Sequence, residues 1–252
     1  MTSVPRELQR DPIVEAVFEI RFAAAAESAS DLIPGMLFAY RQGHFKAPAR
    51  LPFAQLPREI QDADPALRYH PRIALQADGY ALMIGDRNLI VSCPRPYLGW
   101  SRLKPVVLDV FSALHDTQLV TTVERVSAKY VNLLAAPANT KEQFDLIKFT
   151  AQLGPLDLTR STVTTVHTEV VQEAFVTIIE VKSSSTAQTS NEKLAGILLS
   201  VDTICNDVTD FWRAKEAIID EVHNRGKRMF FDALTEQTLA SLGPIWEEDF
   251  VA

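Results

Sequence analysis

Between Ile13 and Phe22 apolar and polar positions alternate: Val14, Ala16, Phe18, Ile20 and Phe22 fall on one face, and Glu15, Glu19 and Arg21 on the other. A period of two predicts a half-buried strand. The spacing then lengthens, with Leu32, Met36, Leu37 and Tyr40 on one stripe, Ser28 or Ser30 as cap and Gly43 as stop, which predicts a helix to about Gln42. Pro48, Pro52, Pro57 and Pro65 exclude a long regular element between Phe45 and Pro65 and predict an extended surface connection, long enough to be a binding loop. Three short strands follow, near Leu67 to Gln76, Tyr80 to Ile84 and Asn88 to Cys93, with Asp78-Gly79 and Gly85-Asp86 as turns. A helix from Ser101 to about Asp116 buries Leu103, Val107, Val110, Phe111 and Leu114.

The same order then recurs. Thr121 to Ala136 predicts a long strand, Thr140 with Gln143 a capping box opening a helix, and Thr162 to Val171, Phe175 to Lys182 and Leu194 to Cys205 three more strands. The Ser-, Thr- and Asn-rich stretch Ser183 to Lys193 predicts a mobile hairpin loop. A helix from about Asp210 to Leu234 and a short one capped by Thr235 and ended by Gly243 close the pattern. Residues 1–252 thus form a single domain with internal repeat halves at about 10–118 and 119–235. The expected fold class is α+β, a duplicated β-α-β3-α unit forming one curved antiparallel sheet with helices on one face. By analogy the layout is TATA-binding-protein-like or helix-grip-like, and fold analogy carries no function.

Composition narrows the function classes. A formal charge of −7 argues against a general nucleic-acid coat, although the segment Arg41 to Lys104 holds ten Lys or Arg against five Asp or Glu and is locally basic. Cys93 and Cys205 lie apart in apolar runs without metal or redox spacing, as expected of reduced thiols. No apolar leader and no bilayer-length apolar run is present, so a cytoplasmic protein with no membrane partner is expected.

No phosphate-cradling Gly-rich loop, nucleophile elbow or zinc-binding helix motif occurs, and His44, His70, His115, His167 and His223 lack ligand spacing. No catalytic residue, metal site or cofactor is therefore assigned. Strand parity instead places Arg68, His70 and Arg72 on the face away from the helices, together with Arg125, Ser127 and Lys129 of the central strand and His167 with Glu169 of another. Arg68, His70, Arg72, Arg125 and Lys129 are the candidate partner-binding set, since guanidinium groups suit carboxylate or phosphate. The competing reading is a solvated face whose cations pair with Glu15 and Glu19 across strands. Tyr130, Asn132 and His223 are expected as structural polar groups on the helix side.

These residues also carry a resemblance. Pro12 to Phe22, Tyr97-Leu98-Gly99-Trp100, Arg125 to Asn132, Leu199-Ser200-Val201-Asp202 and His223 with Phe230 and Leu234-Thr235 together resemble a sporadically distributed family of uncharacterised bacterial proteins of about 250 residues. Lys129 stands where that family has Arg, and a single Asp202 where it has an Asp-rich strand. The resemblance implies a mobile or phage-defence gene context rather than a mechanism. The reading at this point is a non-catalytic binding or adaptor protein for a protein or anionic partner, with nucleic acid left open through the local basic face. Two alternatives stand beside it: a small-ligand protein with a cavity between the sheet and the long helix, and a hydrolase of unknown substrate using His167 and Glu169.

Overall fold

A computed structural model describes residues 4–65, 67–136, 142–160, 163–188 and 193–246. The chain runs through β1 (Glu7–Leu8), β2 (Ile13–Ala24), α1 (Ala29–Tyr40), β3 (Ala49–Arg50), a 3-10 turn at Pro52–Gln55 and α2 (Arg58–Ala63). Next come β4 (Ile73–Gln76), β5 (Ala81–Ile84), β6 (Asn88–Pro94), α3 (Trp100–Asp116) and β7 (Val120–Ala135). A 3-10 turn at Gln143–Leu146, the small hairpin β8 (Gln152–Leu153) and β9 (Leu156–Asp157), and a 3-10 turn at Leu158–Arg160 then lead to β10 (Thr165–Gln172). The chain continues with β11 (Phe175–Gln188), β12 (Lys193–Cys205), α4 (Phe211–Ala233), α5 (Glu236–Leu242) and β13 (Pro244–Ile245).

The expected α+β class holds. Nine strands form one antiparallel sheet in the order β10-β11-β12-β7-β2-β6-β5-β4-β3, which fits a curved sheet carrying helices. β2 and β7, the two strands predicted to lie near the middle, are neighbours there, paired from Ile13 against Asn132 to Ala24 against Val120. Outward from that pair, one side continues with β6, β5, β4 and β3 and the other with β12, β11 and β10.

Alternation decides what each face buries. Ala16, Phe18, Ile20 and Phe22 are fully buried with Val126, Ala128, Leu82, Ile84, Leu89 and Val91, and against them pack Ile33 and Leu37 of α1, Leu103, Val107 and Phe111 of α3, and Phe211, Ile219 and Val222 of α4. Helices α1, α3 and α4 thus cover one face, where a fully buried large side chain is worth roughly 1.5–3 kcal/mol. A second cluster, Leu134, Phe144, Val181, Ile197, Leu199, Phe230 and Leu234, continues that layer toward the C-terminal half. Gly226 lets α4 lie close on β12, since a Cβ there would sit 3.2 Å from Thr203 Oγ1. The Thr235 hydroxyl caps α5 by accepting from Thr238 N at 3.3 Å, and Gly243 ends it in the left-handed region. Thr235→Ala is expected to cost about 1 kcal/mol, seen as a lower urea midpoint with an unchanged slope.

Three expectations need correction. The Pro-rich segment is not simply extended: it holds the Pro52–Gln55 turn and α2, because Pro52 at a first helical position and Pro57 just ahead of α2 permit short helices even where they forbid a long one. Leu67 to His70 is turn rather than strand, and β4 begins only at Ile73, after Pro71. Ser183 to Gln188 is not loop but continues β11: a bulge at Ser184, with φ of +53°, is held by Ser184 N donating to Gln143 Oε1 at 2.7 Å. The expected cap Thr140 lies outside the described residues. Beyond it the described chain forms short turns and a hairpin rather than a helix, as the Gly154-Pro155 break requires.

Candidate functional site

The helix-free face of the sheet is set by register. Glu19 faces Ser127 on one side and Ile90 on the other, Arg21 faces Arg125 and Asn88, Val17 faces Lys129, and Lys129 faces Asp202 of β12. Glu15, Glu19 and Asp202 therefore share one patch with Arg21, Arg125 and Lys129, in balanced charge.

Glu19 is the hub of that patch. Only 8% of it is exposed, and it accepts from Arg21 Nε at 2.8 Å, Arg125 Nη2 at 3.1 Å and Asn88 Nδ2 at 3.0 Å. Asn88 also donates to Tyr69 O at 2.7 Å, and the Arg21 guanidinium lies 4.2 Å over the Tyr69 ring, whose hydroxyl donates to Glu124 at 2.7 Å. Glu15 accepts from Ser92 Oγ at 2.5 Å. Asp202 is different. Burial raises its carboxyl above the usual range with Glu19 adding to it, Arg125, Lys129 and a hydrogen bond from Ser127 pull it back, and Oδ1 is buried without a hydrogen-bond partner among the described residues. Arg125 Nε is in the same condition.

The five candidate residues do not form one surface. Arg125 and Lys129 lie in this patch. Arg72 is buried: Nη1 donates to Leu56 O at 3.2 Å and Gln61 Oε1 at 2.7 Å, and Nη2 to Ala54 O at 2.9 Å, so it clamps the Pro-rich segment to the sheet. Gln61 in turn donates to His70 O at 3.1 Å, and Arg58 bridges Asp86 and Asp31. The His70 ring stacks on Phe53 with centroids 4.4 Å apart. Arg68 is half-buried, with Nε unpartnered among the described residues. Parity fails for Arg68 and His70 because they precede the strand, and Arg72 keeps its face but is covered by residues 54–61.

On the helix side, Tyr130, Asn132 and His223 are buried. Tyr130 OH and His223 Nδ1 are 2.7 Å apart, and Asn132 Nδ2 donates to Leu199 O at 3.2 Å. Trp100 stacks on His223 with centroids 3.9 Å apart and planes 9° apart, and Tyr97 meets Tyr130 edge-on. Burial, with Lys227 and Lys104 adding to it, lowers the His223 pKa to about 3, and burial pushes both tyrosines up. A separate cleft of about 620 Å³ opens at the N-terminal end of α4, between Thr121–Glu124 of β7 and Asn206–Arg213. It is a rim cleft, whereas the space beneath α4 is filled by Phe211, Ile219, Val222 and Phe230. His167 and Glu169 lie 3.6 Å apart on β10, each more than half exposed.

Spacing along the chain does not mark Asp202, Asn88, Gln61 and Tyr69 as members of the site. Alternation in β12 could have put Asp202 on the charged face, but only the register places it opposite Lys129. No described helix is long and apolar enough to cross a membrane, and among the described residues no acidic, His or Cys cluster could hold a metal. Both cysteines are buried free thiols. No family model matches the chain, and no match was found among curated proteins.

Proposed function

We propose that this is a non-catalytic binding protein that takes a segment of a protein partner across the helix-free face at β2, β7 and β12. One observation carries the reading: on this face Asp202 stands opposite Lys129, and Glu19 beside Arg125, so acids and bases are interleaved over three adjacent strands. A peptide, which carries both donors and acceptors, can answer both kinds of group. A phosphate offers acceptors only and would meet Glu15, Glu19 and Asp202. The patch therefore favours a protein over nucleic acid, and the two nearest guanidinium groups are engaged by Glu19. A cytoplasmic setting and a mobile or defence-linked gene context belong to the same proposal; the second rests on the family resemblance alone.

The test compares wild type with Asp202→Asn and Lys129→Glu in co-purification from the native host, with partners identified by mass spectrometry. Asp202→Asn removes a charge that burial disfavours, so the melting temperature is expected to hold or rise while the partner is lost. Lys129→Glu should also lose it. Retention of the same partner by both variants, or capture of nucleic acid in its place, would overturn the reading.

A further inference from the structure

One edge of the sheet is the two-residue strand β3, and the other is β10, eight residues long with no proline and no lysine. Among the described residues nothing pairs with the outer side of β10. An edge of this length presents unpaired N–H and C=O groups, which protein edges ordinarily guard with charge, proline or a cover. Its side chains stand open as well, Val171 at 70% exposure and His167 and Glu169 at more than half.

The direction of the backbone groups is fixed by the neighbouring strand. Ser183 N donates to Thr164 O at 3.0 Å, so Thr164 points toward β11. In a regular antiparallel strand the alternate residues then point the same way, and Thr165, His167, Glu169 and Val171 turn their N–H and C=O outward. A second β10 laid antiparallel about a twofold axis at Thr168 brings His167 opposite Glu169 of the second copy, and Glu169 opposite its His167. Thr165 then meets Val171, so that about eight backbone hydrogen bonds can form between outward-facing groups. The side chains agree with the backbone. His167 and Glu169 share the helix-free face, and on the other face Val166 meets Val170, extending the apolar layer against which Val166 already packs. Any other register of the same antiparallel pairing loses one or both of these matches.

We propose that two copies of this chain associate through β10, edge to edge, to form one sheet continuous across the dimer. The occupant of the edge is a second copy because the strand Thr165–Gln172 sets imidazole against carboxylate, valine against valine and outward donors against outward acceptors about a single axis. A twofold interface repeats every contact, so one favourable pair counts twice.

Sedimentation velocity and light scattering test this directly. Wild type is expected at about twice 28.1 kDa at micromolar concentration. His167→Pro removes an outward N–H, a position where an edge strand tolerates proline, and should give a monomer with unchanged circular dichroism. His167→Glu sets like charges opposite each other at two places and should raise Kd about tenfold or more. Combining His167→Glu with Glu169→His again sets an imidazole opposite a carboxylate across the axis and should recover the dimer. A wild type that stays monomeric at high micromolar concentration overturns the proposal, including the case where the edge takes a strand of another protein. So does a dimer that His167→Pro leaves intact, or a double variant no tighter than His167→Glu alone.

Discussion

Arg72→Ala is expected to lower the unfolding free energy by about 3 kcal/mol. Arg72 is 8% exposed, and its guanidinium satisfies Leu56 O, Ala54 O and the Gln61 side chain, while Gln61 holds His70 O. Hydrogen bonds to a charged group contribute roughly 1.5–3 kcal/mol each, and truncation also leaves the two carbonyls in want of donors. Arg72→Lys should recover little, because one ammonium cannot span three acceptors set around a planar fork. Urea unfolding measures the loss, and protease cleavage within residues 51–70 should rise in step, since this side chain fixes that segment to β4. The contrast is Arg125→Ala, whose pair with Glu19 keeps about a quarter of the guanidinium side chain in water and should cost only about 1 kcal/mol. If both variants unfold at the wild-type midpoint, Arg72 is not a clamp.

That contrast marks where sequence reasoning stops. Alternation in Ile13–Ala24 and Val120–Ala135 set the faces of both central strands correctly, because a period of two survives any register. It also put Tyr130 and Asn132 on the buried side and Arg125 and Lys129 on the other. Grouping Arg68, His70 and Arg72 with them requires a strand that runs back to Leu67. Pro71 and the turn at Leu67–His70 break that parity, and the residues burying Arg72 come from 54–61, a stretch whose own short helix was hidden by its prolines. Pairing across strands is the other limit. Nothing in the spacing of β12 says that Asp202 faces Lys129, or that Glu19 rather than Glu15 binds two arginines. The long β11 shows the same limit in reverse: its serines read as linker until Thr164 and Gln143 supply partners for the bulge.

Stability should fall on both sides of a neutral plateau, and the buried Tyr130–His223 pair accounts for much of the fall. His223 has a folded pKa of about 3 against an ordinary value of 6.5, with burial as the main cause and Lys227 and Lys104 adding to it. A depressed folded pKa means that below 6.5 the unfolded chain takes up a proton that the folded chain refuses. Its contribution is therefore full above pH 6.5 and is lost as pH falls toward 3, at about 1.4 kcal/mol per pH unit. The complete loss is on the order of 4–5 kcal/mol by the same linkage, a large share of the 5–15 kcal/mol typical of a folded domain. Tyr130 OH and His223 Nδ1 share one hydrogen bond, and burial pushes that phenol up, so stability should also decline above pH 10, where the unfolded tyrosine ionises and the folded one does not. Tyr97, raised in the same way, adds to the alkaline decline. His223→Phe alone leaves the Tyr130 hydroxyl buried without its partner, at a cost of about 1–3 kcal/mol. Tyr130→Phe combined with His223→Phe removes both polar groups, keeps a ring against Trp100, and should recover most of that loss at pH 7. Chemical unfolding from pH 4 to pH 8 then decides the matter: the wild type should follow the one-proton slope in addition to its carboxylates, and the double variant should be flatter by that slope. Equal slopes in the two proteins would mean that His223 titrates normally in the folded state and that its stacked, buried position does not keep it neutral.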